Sequence, residues 1–339
     1  MAVVHHEGRS VELASGESVL DGLLRAGIDA PHSCRAGHCQ TCLARVVRGD
    51  VPVGSQEGLK PTWRALGLFL TCRARPTGDL EMAAPDALGL EVGARIVDVA
   101  RLSHDVVRLR LTTDAPFEHC GGQFATLVRS DGLARSYSVA SLPGRDEFIE
   151  MHVRLVTNGA MSGWIARDAC VGDRVALRGP AGECFHVPGR REQPLLLIGT
   201  GTGLAPLRAI VHDALRDGHT GRIQLVHGAL DERGFYLVDE LSALAREHAN
   251  FEYARCMLRG EHLSTTPASP RTSVHVGALD ARVRAAFPNL KGWRVFLCGH
   301  PELVVALRKW AFIAGAASKD IHADAFVTKP APLPRTATS

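Results

Sequence analysis

Residues 34–42 read Cys34-Arg35-Ala36-Gly37-His38-Cys39-Gln40-Thr41-Cys42, and a further cysteine, Cys72, stands after a gap of 29 residues (43–71). Three thiols in one tight loop and a fourth from a distant segment can wrap a dinuclear [2Fe–2S] cluster, with two thiolates on each iron. Gly37 lets the backbone turn close to such a cluster, so that peptide N–H groups reach the sulfurs and help set its potential. Two readings compete with the cluster. A structural zinc ion usually draws on two short C-x2-C knuckles, and this chain offers one. Four unrelated buried cysteines would need no ligand at all. Iron and acid-labile sulfide content separates the cluster from zinc.

The C-x4-C-x2-C spacing with a distant fourth cysteine is the plant-type ferredoxin arrangement, and residues 1–85 resemble a ferredoxin domain of that type. The resemblance implies Cys34, Cys39, Cys42 and Cys72 as the cluster ligands and an α+β, β-grasp-like fold. The family commonly carries glycine where this chain has Gln40. That departure alters sulfur hydrogen bonding or the docking surface and removes no ligand. Around the loop, residues 3–4, 11–13 and 43–47 read as strands. Val19, Leu20, Leu23 and Leu24 recur at helical spacing, with Ser18 or Ser15 as the cap and Gly27 as the stop. Ala83-Ala84-Pro85-Asp86 reads as a linker.

Residues 93–188 are mostly alternating runs, at 106–111, 124–128, 137–139 and 148–156, separated by turn signals such as Asp131-Gly132 and Pro143-Gly144. Short strands so spaced predict an antiparallel barrel, interrupted by a helix over 161–167. Arg135-Ser136-Tyr137-Ser138 lies on one strand, and Gly159-Ala160-Met161-Ser162 opens the helix. A helix N-terminus is a ready anion site. The two segments resemble the R-x-Y-S and G-x-x-S motifs of the ferredoxin–NADP reductase superfamily. The resemblance implies FAD, with Arg135 on its pyrophosphate, Tyr137 flat on the isoalloxazine, Ser136 within the same motif and Ser138 near N5. The pyrophosphate would sit on Gly159, Ala160, Met161 and Ser162. His152 and Arg154 fit either a place under the cofactor or an exposed strand edge.

Residues 192–328 change character. Strand-like runs at 195–198, 223–226, 251–257, 295–298 and 321–326 alternate with helical runs at 206–216, 238–248, 280–287 and 301–314. This is the pattern of an α/β, doubly wound parallel sheet. Gly199-Thr200-Gly201-Thr202-Gly203, with Pro206 beyond, follows the first strand and opens a helix. Glycines there let the backbone approach a pyrophosphate. Cys298-Gly299-His300-Pro301 follows the fourth strand. Both segments are similar to nicotinamide-binding motifs of the same superfamily, which implies that Cys298, Gly299 and Pro301 border the nicotinamide. Asp231 and Glu232, after the second strand, favour a free ribose 2′-hydroxyl and hence NADH over NADPH, although Arg233 opposes them. Phe326 either borders the flavin or packs in the core. Residues 329–339 hold three prolines and read as a flexible tail.

Composition narrows the remaining classes. With 339 residues, 45% hydrophobic and 22% charged, the chain is long enough for two or three domains and ordinary for a globular protein. A net charge of +3 points to no nucleic-acid partner. No apolar run reaches membrane-spanning length, and the N-terminus lacks a signal-peptide pattern. Nine cysteines in such a chain suggest a reducing, cytoplasmic setting. Cys120, Cys170, Cys184 and Cys256 read as packing, and His5-His6 as solvated. No nucleophile elbow supports hydrolysis.

Taken across its length, the sequence resembles the reductase components of bacterial multicomponent oxygenases. The resemblance implies electron flow from NADH to FAD to [2Fe–2S], with Ser138 and Cys298 at the hydride site. The acceptor would be a terminal oxygenase, either a ring dioxygenase or a di-iron monooxygenase, or an intermediary ferredoxin, served by a monomer. The same chain of groups feeding a non-oxygenase acceptor, such as a sugar-deoxygenation enzyme, is a rival. So is a non-catalytic redox sensor.

Overall fold

The computed structural model describes residues 2–32, 34–37, 39–59, 63–64, 67–83, 91–260 and 270–327. Of the linker expected over residues 83–86, Ala83 instead ends a strand, and the rest, with the tail expected from residue 329, lies outside them.

The N-terminal sheet has five strands: β1 (Val3–His6), β2 (Arg9–Glu12), β3 (Leu43–Arg48), β4 (Leu68–Leu70) and β5 (Leu80–Ala83), in the order β2-β1-β5-β3-β4. The central β1–β5 pair is parallel and the others antiparallel. Helix α1 (Val19–Arg25) covers the sheet. Ser18, rather than Ser15, caps it, accepting from the Asp21 N–H at 3.2 Å. Val19, Leu20 and Leu23 are buried against Leu68, Phe69 and Leu70 in a core drawn entirely from this domain. Each such side chain contributes about 1.5–3 kcal/mol on burial. The expectation of a solvated histidine pair is corrected at His6: strand alternation turns it inward, and it is buried.

The second sheet comprises β6 (Glu91–Arg101), β7 (Val106–Thr113), β8 (Phe124–Val128), β9 (Ala134–Ser138), β10 (Ile149–Arg154) and β11 (Arg174–Ala181), all antiparallel, in the order β10-β7-β6-β11-β8-β9. Its edges meet at the Val139–Met151 bridge, and the Ala140 N–H donates to the Glu150 carbonyl at 2.8 Å, so the sheet closes into a barrel. Helix α2 (Ala160–Arg167) plugs Met161 and Ile165 into the core. Strands β6 and β11 were not evident in the hydrophobic pattern. A register shift between Ile96 and Asp98 breaks the alternation of β6, and β11 contains Gly179-Pro180, which reads as a turn.

The third sheet is wholly parallel: β12 (Leu195–Thr200), β13 (Ile223–Ala229), β14 (Phe251–Met257), β15 (Thr272–Val276), β16 (Arg294–Gly299) and β17 (Ile321–Ala325), in the order β15-β14-β13-β12-β16-β17. Helices α3 (Leu204–Arg216), α4 (Val238–Glu247), α5 (Leu279–Ala286) and α6 (Pro301–Ile313) pack on it. Edge strand β15, half-buried and without an apolar run, is additional to the five expected. Helix α3 begins at Leu204, two residues before Pro206. Strand order reverses between β12 and β16, and ligands of open α/β sheets bind at such a switch point. Among the described residues, no helix is long and apolar enough to cross a membrane.

Candidate active site

The four cysteines of the first motif fall into two pairs. The Cys42 thiol donates to the Cys72 sulfur at 3.3 Å. The Cys39 N–H donates to Cys34 Sγ at 3.3 Å, and the Cys34 N–H to Cys39 Sγ at 3.4 Å; the Ala36 N–H also reaches Cys34 Sγ at 3.4 Å. Gly37 holds φ at +86°, in the left-handed region that a turn this tight requires. Among the described residues, no three His, Cys, Asp or Glu side chains converge on one ion position. Two pairs with N–H groups aimed at sulfur suit two irons better than one tetrahedral zinc. The Cys42–Cys72 bond, and then burial, pushes the Cys42 thiol up, while the same bond holds Cys72 down.

Strand β9 carries the second motif. Ser138 is buried, while Arg135, Ser136 and Tyr137 are half-buried. The Arg135 guanidinium donates to the Ala134 carbonyl at 2.6 Å. The Ser136 hydroxyl donates to the Cys39 carbonyl at 2.9 Å and meets the Thr126 and Thr41 hydroxyls at 2.9 and 3.0 Å. Its expected contact with the cofactor is therefore reassigned, because this side chain serves the cysteine loop. At the start of α2, Gly159 is the N-cap and no side chain caps the helix, which suits an anion. The Ser162 hydroxyl accepts from the Val156 N–H at 3.2 Å and braces the turn.

His152 is corrected on both of its readings. It is fully buried in the seam between the barrel and the parallel sheet. Glu150, held at about 2, is an ionised acceptor, so His152 Nε2–H donates to it at 3.0 Å. Nδ1 then accepts the Tyr236 hydroxyl at 3.3 Å, and neither nitrogen is left for a cofactor. Burial pushes the imidazole pKa down. Arg154 is exposed at the end of β10 and pairs with Asp105 at 3.6 Å.

The switch point brings the third motif together. Gly199 and Thr200 end β12, Gly201–Gly203 form a 3-10 turn, and α3 follows with Pro206 in its first turn. A Cβ on Gly203 would lie 2.2 Å from the Cys298 carbonyl oxygen, so only glycine fits between the two loops. The His300 N–H donates to Thr200 Oγ1 at 3.0 Å. Cys298 is 2% exposed, and burial holds its thiol well above the usual range, as suits an orienting group rather than a nucleophile. The Phe326 N–H donates to the Gly299 carbonyl at 2.8 Å, and its ring packs on the core that contains Cys298. Asp231 lies beyond β13, one strand away, ion-paired with Arg233 at 2.9 Å beside Glu232.

Three further residues join these motifs. Thr41 links the cysteine loop to β9. Cys184, from the barrel, lies 3.4 Å from Cys298 Sγ and is more than simple packing. Asp324 pairs in register with Cys298, and loss of water around its carboxyl, with the charge at Cys34, pushes it up to about 6. Asp324 stands two residues before Phe326 in sequence, which is the one signal that pointed to it. Cys120 and Cys170 are exposed rather than packed, because they sit in loops flanking barrel strands.

Known proteins agree with this geometry. Residues 3–77 match the 2Fe-2S iron-sulfur cluster binding domain, residues 93–186 the oxidoreductase FAD-binding domain, and residues 197–309 the oxidoreductase NAD-binding domain. The reductase subunit of an aromatic O-demethylase from Amycolatopsis is 33% identical, covering 88% of this chain and 90% of the relative. The ferredoxin–NAD(P)+ reductase component of a naphthalene 1,2-dioxygenase system from Pseudomonas putida is 30% identical, covering 96% of this chain and 98% of the relative. The crystal structure of an Amycolatopsis cytochrome P450 reductase, 32% identical, superposes with a TM-score of 0.65 over 96% of this chain and 99% of that one. The chain belongs to the family of iron–sulfur flavoprotein reductase components of aromatic oxygenase systems, and it is an NAD(P)H-dependent oxidoreductase with [2Fe–2S], FAD and NAD domains.

Proposed function

We propose that this chain passes electrons from NADH through FAD to its [2Fe–2S] cluster and on to an oxygenase component. The observation that carries the reading is convergence: β9 bonds the cysteine loop through Ser136, and the switch point meets the barrel at Cys184–Cys298. A nicotinamide supplies two electrons as hydride, a flavin takes them together and releases them singly, and a cluster carries one. Cys34 and Cys39 would hold one iron, and Cys42 and Cys72 the other. Arg135, Tyr137 and Ser138 would face the flavin, with the start of α2 taking its pyrophosphate. The Gly199–Gly203 turn would take the nicotinamide pyrophosphate, while Cys298, Gly299 and Pro301 orient the ring. Asp231 and Glu232 would accept the ribose hydroxyls of NADH. Units of 1–85, 93–188 and 192–328 accommodate these three sites. All nine cysteines are free, which fits a cytoplasmic setting.

The oxygenase is of the aromatic-oxidising class by kinship with the naphthalene system component. A haem oxygenase is a second reading of the acceptor, favoured by the P450 reductase structure and the O-demethylase subunit. An anaerobic visible spectrum before and after NADH tests the wiring: flavin and cluster bands both bleach. NADPH acting as fast as NADH would overturn the roles of Asp231 and Glu232. Cys72→Ser keeps NADH–ferricyanide activity and loses cytochrome c reduction at least about 100-fold, because losing a ligand costs no less than losing the groups that merely orient one. Full cytochrome c reduction by that variant would refute the order of groups, with direct flavin reduction of cytochrome c excluded by a cluster-free control.

A further inference from the structure

Resting on the electron path above, we propose that Thr41 and Ser136 form a hydroxyl clasp that seats the cluster loop on the flavin strand. Both are then positioning residues for the passage of electrons from flavin to cluster.

Thr41 lies between the ligand positions Cys39 and Cys42 and is 0% exposed. Ser136 lies between Arg135 and Tyr137. Side chains alternate along a strand, so Ser136 faces away from those two while staying rigidly one residue from each. A hydroxyl has one proton and two lone pairs. The Cys39 carbonyl can only accept, so the Ser136 proton goes to it at 2.9 Å. Thr126 at 2.9 Å and Thr41 at 3.0 Å then donate into the two lone pairs. The Ser136 hydroxyl is thereby fully satisfied, and two of its three bonds cross to the cysteine loop.

The test uses the full chain loaded with both groups and compares Thr41→Val, Ser136→Ala, the double variant and Thr41→Ser. After anaerobic rapid mixing with NADH, Thr41→Val bleaches its flavin band at the wild-type rate. Its cluster band bleaches about fivefold more slowly, the population change that one lost hydrogen bond produces. The double variant is no slower than the slower single one, as coupled partners require, and Thr41→Ser restores the rate. A dithionite titration followed by electron paramagnetic resonance reads the cluster potential apart from turnover: Thr41→Val keeps the wild-type value, so its slower bleaching reports the seating of the loop and not the driving force. Wild-type cluster bleaching in Thr41→Val overturns the clasp, and so do independent, multiplying effects of the two single variants. A wild-type protein that NADH leaves unbleached sinks the electron path instead, and coupling of Thr41→Val with Ser136→Ala in the thermal loss of cluster absorbance still decides the clasp.

Discussion

The two seams of this molecule are built differently. Between the barrel and the nicotinamide domain, Arg208 of α3, braced within its own domain by Glu240 at 2.6 Å, donates across to the Ala140 carbonyl at 3.1 Å and lies 3.9 Å from Glu150. Glu150 also takes Arg110 and His152. Val106 and Cys184 of the barrel lie in the same apolar core as Leu204, Leu207 and Cys298. Between the N-terminal domain and the barrel, the bonds centre on Ser136, and the N-terminal core is its own. Hydride transfer needs reactants aligned at close range, and a broad, charged and apolar seam supplies that rigidity. One-electron passage from flavin to cluster needs the two sites held close and no such alignment of reacting atoms, so a few bonds at Ser136 suffice.

Breaking the first seam has the larger cost. Arg208→Ala strips the cation from two carboxylates, one of them buried, and a donor from the Ala140 carbonyl, and is expected to lower the unfolding free energy by about 3 kcal/mol. That is the low end for such a pair, because the Glu240 side chain is 33% exposed. Denaturant unfolding followed by flavin release measures it. A loss no greater than that of Thr41→Val would erase the distinction between the seams.

The same seam carries an acid signature. Burial alone would raise the Glu150 pKa, but hydrogen bonds from His152 and Arg110 and the charge of Arg208 outweigh it and hold the group at about 2, from 4.5. A lowered carboxyl pKa stabilises the fold above the unfolded value, and that contribution is lost as pH falls from 4.5 toward 2. From about pH 6 to about pH 3, wild-type protein should lose about 2 kcal/mol that Glu150→Gln does not lose. Parallel acid profiles of the two proteins would contradict the assignment.

How much of this was legible in the sequence follows from what each site is made of. The cluster motif is four side chains of one chemical type at fixed spacing, and a linear reading finds it. The glycine turn is a prohibition: backbone at Gly203 meets backbone at Cys298, no Cβ fits, and the sequence shows glycine. The seams are different. His152 finds Tyr236 at a separation of 84 residues, and Cys184 finds Cys298 at 114. No local pattern encodes such partners. Ser136 was read with its motif because the residue string does not say which strand face meets which domain. Strands β6 and β11 were obscured by local devices, a bulge and a Gly-Pro pair, that bend a barrel while interrupting its alternation.

Gln40 tests the lighter seam most finely. It holds φ at +57°, which is why the related loops prefer glycine here. This turn places the Cys39 carbonyl and the Thr41 hydroxyl on the same side, both within reach of Ser136. Its side chain donates to the Gly58 carbonyl at 3.2 Å. Gln40→Gly relieves about 1 kcal/mol of backbone cost. It forfeits the exposed hydrogen bond, about 0.5–1 kcal/mol, and adds a comparable entropy to the unfolded chain. The net change should lie within about 1 kcal/mol of zero. Gln40→Ala loses the bond and keeps the strained backbone, so its N-terminal domain should melt below that of Gln40→Gly, the reverse of the order at a helix position. Thermal loss of the cluster absorbance ranks the two. Alanine outlasting glycine would mean that the left-handed turn is not what holds the loop in register with Ser136.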